Sequence, residues 1–196
     1  MPDLPHHSET DLLVLHCLRC TGSGSPAAIA AASGLDESIV ESQLAGLAAA
    51  GLVSREPGRW GLTGAGRQAG ARRIAAELDE SGTWSVVSRA YSELLELNLE
   101  LLDLRTEWQT RDPADDEAAA RVLDQFIAFD KRADELCTRL SGALARFGRY
   151  RDRLTEALDR ARAGETGYLT GNAASYDAVW SHLHEDVRLT LGLTRH

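Results

Sequence analysis

Residues 33–63 read SGLDESIVESQLAGLAAAGLVSREPGRWGLT, and this stretch decides the fold. Its first half carries apolar residues at helical spacing, namely Val40, Leu44 and Leu47. Asp36 can cap this helix and Gly51 can end it. Short alternating segments on either side of Pro57-Gly58 then predict a two-stranded hairpin. The stretch therefore predicts a helix that is followed at once by a hairpin.

Two further helices precede this one. The first can be capped by Ser8 or Thr10 and runs to about Cys20, and the second begins at Ser25-Pro26 and ends at Gly34. Short helices joined by a tight turn and followed by a two-stranded wing are typical of a winged helix-turn-helix, whose second helix can enter the major groove of DNA. The apolar stripe of that second helix packs on its neighbour, so its opposite face is free.

Beyond residue 80 the sequence predicts only helices. Apolar residues at 3-4 spacing run along 84–110, and a second long helix follows Asp112-Pro113. Two more helices are expected, at 149–163 and from Ser175 onward. The expected fold is thus mainly α, with two domains. They are an N-terminal winged helix-turn-helix with a two-stranded wing in residues 1–80, and a C-terminal helical bundle of about four helices in residues 81–196.

The chain of 196 residues has a formal net charge of −9, which argues against a protein that coats nucleic acid non-specifically. The charge is unevenly distributed. Residues 1–75 hold six arginines against seven acids, whereas the remainder holds 15 basic and 23 acidic residues. Five of those six arginines lie at or just after the expected wing, so the winged-helix half is nearly neutral.

No apolar run approaches the roughly 20 residues that a bilayer span requires, and no basic-then-apolar leader opens the chain. We therefore expect a cytoplasmic protein with no membrane contact. Cys17 and Cys20 have the C-x-x-C spacing of some metal and redox sites. Because no second Cys or His pair lies at zinc-finger spacing, small buried thiols are the preferred interpretation, and neither a metal nor a cofactor is expected.

Residues 10–78 resemble the winged-helix domain of MarR-type transcriptional regulators. The resemblance rests on a Gly-Leu turn, a Val-x-x-x-Leu-x-x-Leu helix, a Gly-Leu-Val segment and a wing that ends in Leu-Thr. These are Gly34-Leu35, Val40, Leu44, Leu47, Gly51-Leu52-Val53 and Leu62-Thr63. The resemblance covers about one third of the chain. It implies a winged-helix fold and sequence-specific binding to double-stranded DNA.

The C-terminal part resembles the helical tail of uncharacterised actinobacterial winged-helix proteins. The residues that carry this likeness are Leu104–Gln109, Gly148–Tyr150, Ser175-Tyr176 and the run Val179-Trp180-x-x-Leu-His-Glu-Asp. This second resemblance implies a shared architecture and no established activity.

Candidate DNA contacts lie on the second helix of the motif and around the wing. Polar residues that can hydrogen-bond base edges are Ser38, Ser42 and Gln43. Arg59 at the wing tip can enter a minor groove. Arginines that can hold phosphates are Arg55, Arg67, Arg72 and Arg73. The free face of the helix, however, carries Asp36, Glu37 and Glu41 and no basic residue, and carboxylates near phosphates weaken binding.

A candidate ligand pocket lies in the helical half, and its expected members are Asn98, Arg105, Trp108, Trp180 and His184. An apolar cleft needs a few polar groups to orient a bound molecule, and Arg105 would favour a carboxylate or phosphate. Alternative roles remain. Asn98 and Arg105 can instead fix the register of packed helices, and His184 can be a hydrogen-bonded core residue.

The sequence therefore predicts a small-molecule-responsive transcriptional regulator. We expect a homodimer whose long helices pair across a two-fold axis and which binds a palindromic DNA site. The alternative is a winged-helix-derived protein that no longer binds DNA and that binds or transforms a small molecule in its helical domain. The sequence contains no nucleophile elbow, phosphate-binding loop or dinucleotide fingerprint, so an enzyme is not expected.

Overall fold

The computed structural model describes residues 4–193, and Met1–Asp3 and Thr194–His196, at the outer ends of the two expected domains, lie outside the described residues. The described chain is mainly helical and carries one small antiparallel sheet of three strands. Within residues 4–193, every helix is too short or too polar to cross a bilayer.

The N-terminal part alternates helices with very short strands. Its elements are α1 (Thr10–Thr21), β1 (Ser23–Gly24), α2 (Pro26–Ser33), α3 (Glu37–Ala49), β2 (Val53–Glu56), β3 (Arg59–Leu62) and α4 (Gly64–Glu80). Ser25 caps α2 as predicted, because its hydroxyl accepts a hydrogen bond from the backbone N–H of Ala28 at 3.2 Å. Gly34 follows α2 at φ +74°, a left-handed conformation that lets the chain turn sharply into α3.

The sheet has three strands, whereas the sequence indicated two. Its order is β1-β3-β2, and Ser23 of β1 lies opposite Gly61 of β3. A two-residue strand is too short to show a period of two, and its partner lies far along the chain, so local patterning could not reveal it. Arg59 fastens this edge, since its guanidinium donates to the Ser23 carbonyl at 2.8 Å and to the Ser23 hydroxyl at 3.1 Å.

The N-terminal helices and the sheet share one buried apolar cluster. The predicted stripe of α3 lies within it, and its side chains are almost fully buried at Val40, Leu44 and Leu47. At the start of α4, the backbone of Gly66 packs against Leu52, the residue that precedes β2. A Cβ built on Gly66 would lie 1.9 Å from the carbonyl oxygen of Leu52, so only glycine fits there without a backbone shift.

The C-terminal part is helical throughout. Its elements are α5 (Trp84–Thr110), α6 (Asp116–Ala143), a 3₁₀ turn (Ala145–Phe147), α7 (Gly148–Arg162), the short α8 (Gly167–Thr170) and α9 (Tyr176–Thr190). The four long helices match the expected number, and the short α8 lies between α7 and α9. Ser175 caps α9 as predicted, since its hydroxyl accepts from the Ala178 N–H at 3.3 Å.

Ion pairs at seven-residue intervals on α5 fix its antiparallel pairing with α6. The pairs are Glu93 with Arg139, Glu100 with Arg132 and Glu107 with Arg121. The three acids thus meet arginines of the same chain. Two further acids of α5, Glu96 and Asp103, are exposed. The register of α5 on α6 is therefore specified by charge as well as by apolar packing.

Candidate functional site

The outer face of α3 carries the residues that the sequence assigned to base contacts. Ser38 and Ser42 are exposed, and Gln43 is half-buried. Their exposure follows from the burial of the opposite stripe, because a helix that packs one face against the core leaves its other face in solvent. The acids Glu37 and Glu41 are exposed on the same helix. The face thus offers hydroxyls that are flanked by negative charge.

The arginines near the hairpin are partly engaged within the protein. Arg59 holds Ser23, as described above, and Arg67 donates to the carbonyl of Leu62 at 2.8 Å. The guanidinium of Arg55 lies over the Trp60 ring, 5.7 Å from its centroid. Arg72 is exposed on α4. Arg55, Arg67 and Arg72 can still reach outward, whereas Arg59 is partly committed to the sheet edge and has less freedom to enter a groove.

Arg73 does not face outward as a phosphate contact would. It donates to Asp11 at 2.7 and 2.8 Å and to Glu9 at 2.8 Å, and so ties α4 to the start of α1. The hydrogen bonds from Arg73 lower the pKa of Asp11. Arg73 thus has a structural role within the chain, and its role in phosphate binding stays a prediction.

A buried polar junction joins the N-terminal helices to α9, and Asp186 lies at its centre. The Asp186 side chain is fully buried, and its Oδ1 accepts from His16 Nε2 at 2.8 Å and from Arg146 Nη1 at 2.6 Å. Its Oδ2 accepts from Arg149 Nη2 at 2.7 Å and from the Tyr150 hydroxyl at 2.9 Å. Four donors from α1, the 3₁₀ turn and α7 therefore converge on one carboxylate.

Arg146 extends the polar junction to α4. Its Nε donates to Glu77 of α4 at 3.1 Å and its Nη2 to Thr190 of α9 at 2.9 Å, while its side chain is almost fully buried. Burying a guanidinium is costly unless each of its donors finds an acceptor. The carboxylates of Glu77 and Asp186 and the hydroxyl of Thr190 supply those acceptors.

The electrostatics of the polar junction favour a neutral His16 and an ionised Asp186. Burial lowers the pKa of His16, although the neighbouring carboxylate acts in the opposite direction. Burial alone would raise the pKa of Asp186, but Arg146 and His16 hold it well below its usual value. The second ring nitrogen of His16, Nδ1, is buried with no hydrogen-bond partner in residues 4–193, which also disfavours a proton there.

Three side chains in the polar junction lie close enough together to hold a metal ion, but their chemistry does not suit one. His16, Cys20 and Asp186 each place a ligand atom within 4.8 Å of the others. The Asp186 carboxylate, however, is already bound by two guanidiniums, and a dication would lie against those positive charges. Burial also raises the pKa of the Cys20 thiol well above its usual value, whereas metal binding requires the thiolate.

The predicted ligand residues divide between a surface cleft and the core. Asn98, Arg105 and His184 line a cleft of about 240 Å³ between α5 and α9. Trp108 and Trp180 are buried elsewhere. The Arg111 guanidinium covers the ring of Trp108 at 3.5 Å, and Trp180 packs edge-on against Phe129 at 5.2 Å. The structure thus brings together the three polar candidates and leaves the two tryptophans in the apolar core.

Residues of α9 that the sequence did not single out complete the cleft. Asp177 and Ser181 line it from α9, and the Arg105 guanidinium lies 3.5 Å from the Asp177 carboxylate. The His184 ring stacks on Tyr91 of α5 with a centroid distance of 5.8 Å. The cleft therefore contains one positive and one negative side chain, an amide, a hydroxyl and an imidazole.

The polar junction itself was missed at the sequence level, and only weak signals pointed to it. Glu77 and Arg146 each interrupt an apolar run, Glu77 beside Leu78 and Arg146 between Leu144 and Phe147. A charged residue at a core position is the one local sign of a buried ion pair. The identity of its partner depends on how distant helices dock, which periodicity does not specify.

Comparison of the chain with protein-family models, with curated proteins and with solved structures yields no match.

Proposed function

We propose that this protein is a sequence-specific DNA-binding transcriptional regulator that acts through a winged helix-turn-helix in its N-terminal part. The observation that carries the proposal is the order and packing of α2, the Gly34 turn, α3 and the β2–β3 hairpin. In this arrangement the apolar stripe of α3 is buried and its polar face is open, as insertion into a major groove requires.

The polar face of α3 would contact the bases, and the arginines beside it would contact the phosphates. Ser38 and Ser42 are free to hydrogen-bond base edges, while Arg55 and Arg72 lie on the hairpin and α4, where phosphates would pass. Glu41 can accept a hydrogen bond from a cytosine amino group. The acids on α3 repel phosphates at every site, so a complex would form only where base contacts offset that repulsion.

An exposed apolar stripe on α5 supports the homodimer part of the proposal. Leu95, Leu99 and Leu102 are 43%, 66% and 44% exposed, and their spacing of four and three residues puts them on one face. A contiguous apolar face on a long helix is typical of a protein interface. A homodimer paired through α5 would carry two copies of α3, and dimers of this class read half-sites about 34 Å apart in successive major grooves.

The test is binding of the purified protein to a fluorescent duplex from its own upstream promoter region, with random DNA as competitor. Binding that survives the competitor and weakens steeply with salt supports the proposal. Arg72→Glu should weaken it at least tenfold, whereas Arg162→Glu, an exposed change on α7, should not. Arg59 is unsuitable for this test because it also holds β1. Binding equal to that of random DNA would refute the proposal.

A second candidate function is favoured by the cleft between α5 and α9. In this alternative the acidic α3 no longer binds DNA, and the protein binds or transforms a small molecule at Asn98, Arg105 and His184. Failure of promoter binding together with saturable binding of a small molecule would favour this alternative.

A further inference from the structure

We infer that the cleft between α5 and α9 binds a small zwitterion of the α-amino-acid class, and this inference rests on the proposed function in that it identifies the effector of the regulator. The cleft is the one that Asn98, Arg105, Asp177, Ser181 and His184 line.

Opposite charges on the two walls define the ligand class. Arg105 comes from α5 and Asp177 from α9, and their nearest charged atoms are 3.5 Å apart. Both side chains are partly exposed, at 37% and 24%. A ligand carboxylate can take the Arg105 guanidinium and a ligand ammonium the Asp177 carboxylate, so a zwitterion replaces one loose ion pair with two closer ones. A simple anion or cation would leave one of the two protein charges unpaired.

The size and the remaining wall of the cleft restrict the ligand further. A volume of about 240 Å³ is below the usual range for drug-sized ligands and suits a molecule of amino-acid size. Leu101 and Leu102 form the apolar part of the lining, against which an aliphatic side chain can pack. The Asn98 amide and the Ser181 hydroxyl supply uncharged hydrogen-bonding groups, one from each helix.

The position of the cleft gives its occupant two ways to influence DNA binding. Asp177 and Ser181 are on α9, the helix whose Asp186 holds α1 through His16. Leu102 belongs both to the cleft and to the exposed stripe of α5. A zwitterion that bridges Arg105 of α5 and Asp177 of α9 would therefore act on the helix that contacts α1 and on the edge of the dimer face.

The experiment measures ligand binding without DNA, so that its failure is separate from a failure of DNA recognition. The probes are L-alanine, L-leucine and L-phenylalanine, titrated by calorimetry and by thermal shift up to about 10 mM. Leucinamide and 4-methylpentanoate serve as matched probes, because each retains the leucine side chain and lacks the carboxylate or the ammonium charge. We expect at least one of the three amino acids to bind and, if leucine binds, both matched probes to bind at least tenfold more weakly.

Variants then assign the binding to the cleft. Arg105→Gln and Asp177→Asn should each weaken binding at least tenfold while leaving the melting temperature of the ligand-free protein close to the original. Glu100→Gln is the matched control, since it breaks a comparable exposed pair between α5 and α6. Failure of all three amino acids to bind would overturn the inference. Binding that survives in both cleft variants, or matched probes that bind as tightly as leucine, would overturn it as well.

Discussion

The carboxylate of Asp186 on α9 accepts a hydrogen bond from the imidazole of His16 on α1, 170 positions earlier in the chain, at 2.8 Å between Oδ1 and Nε2. Both side chains are almost fully buried. The contact joins the last helix of the described chain to the first, and Arg146 and Arg149 bind the same carboxylate. The orientation of the N-terminal helices on the helical part is thus set by a charged, hydrogen-bonded group with a defined geometry.

Replacement of Asp186 by alanine should destabilise the protein strongly. The change leaves the buried Arg146 and the nearly buried Arg149 without their shared carboxylate, and an uncompensated buried charge typically costs about 3–5 kcal/mol. Urea unfolding followed by circular dichroism measures this loss. Asp159→Ala, at an exposed position of α7, should change the free energy of unfolding by less than about 0.5 kcal/mol. A loss below about 1 kcal/mol for Asp186→Ala would contradict the polar junction as described.

Stability should fall as the pH drops below about 6.5, the ordinary value for histidine. The pKa of His16 is lowered in the folded protein, so the unfolded chain takes up a proton that the folded chain rejects. The stabilisation from a neutral His16 is therefore complete above the unfolded pKa and is lost as the pH falls toward the folded pKa. The lowered pKa of Asp186 adds a second loss, which begins only below its ordinary value of 3.8.

The pH effect can be assigned to His16 by comparison with a variant. The midpoint of urea unfolding is measured between pH 8 and pH 5 for the original protein and for His16→Gln, which cannot titrate in this range. His182 also has a pKa lowered by burial, so part of the pH dependence should remain in the variant. Identical pH dependence of the two proteins would rule out His16 as the titrating group.

Gly66→Ala should destabilise the protein even though alanine is the better helix former. In an open helical position this exchange stabilises by about 0.5–1 kcal/mol. At Gly66 the new Cβ would meet the Leu52 carbonyl at 1.9 Å and push α4 away from the hairpin. Gly64→Ala, two residues earlier, meets nothing within 4 Å and is the matched control. Thermal unfolding should show a lower melting temperature for Gly66→Ala only, and equal behaviour of the two variants would disprove the close approach.

Local signals were sufficient where an element forms from neighbouring residues. The stripe Val40, Leu44 and Leu47 is buried as predicted, and Ser25 and Ser175 cap their helices as predicted. These features depend on side chains within a few positions of one another, which helical periodicity and capping chemistry describe directly.

Features that depend on contacts between residues far apart in the chain could not be predicted from local sequence patterns. Strand β1 exists because Ser23 and Gly24 meet β3, and Asp186 is buried because α1 and α7 close over it. The aromatic candidates show the same limit, since the sequence placed Trp108 and Trp180 near polar residues, while the structure packs them into the core. Only the three polar candidates, which are half-buried on their helices, line a common cleft.

A charge placed at Leu99 should separate the proposed homodimer. Leu99 is the most exposed residue of the apolar stripe on α5, at 66%, and it lies between Leu95 and Leu102. Since the side chain already faces solvent in the single chain, Leu99→Arg should leave the fold intact and penalise only a paired state, in which an arginine would be buried against apolar side chains. Sedimentation velocity should show a shift from dimer to monomer at micromolar concentration, with an unchanged circular dichroism spectrum. Thr138→Arg, at an exposed position of α6, is the control and should leave the sedimentation profile unchanged.

The same Leu99 variant should bind a palindromic duplex at least tenfold more weakly, because the two copies of α3 then no longer bind as one unit. If the original protein sediments as a monomer, or if the variant remains dimeric, the α5 stripe is not the dimer interface.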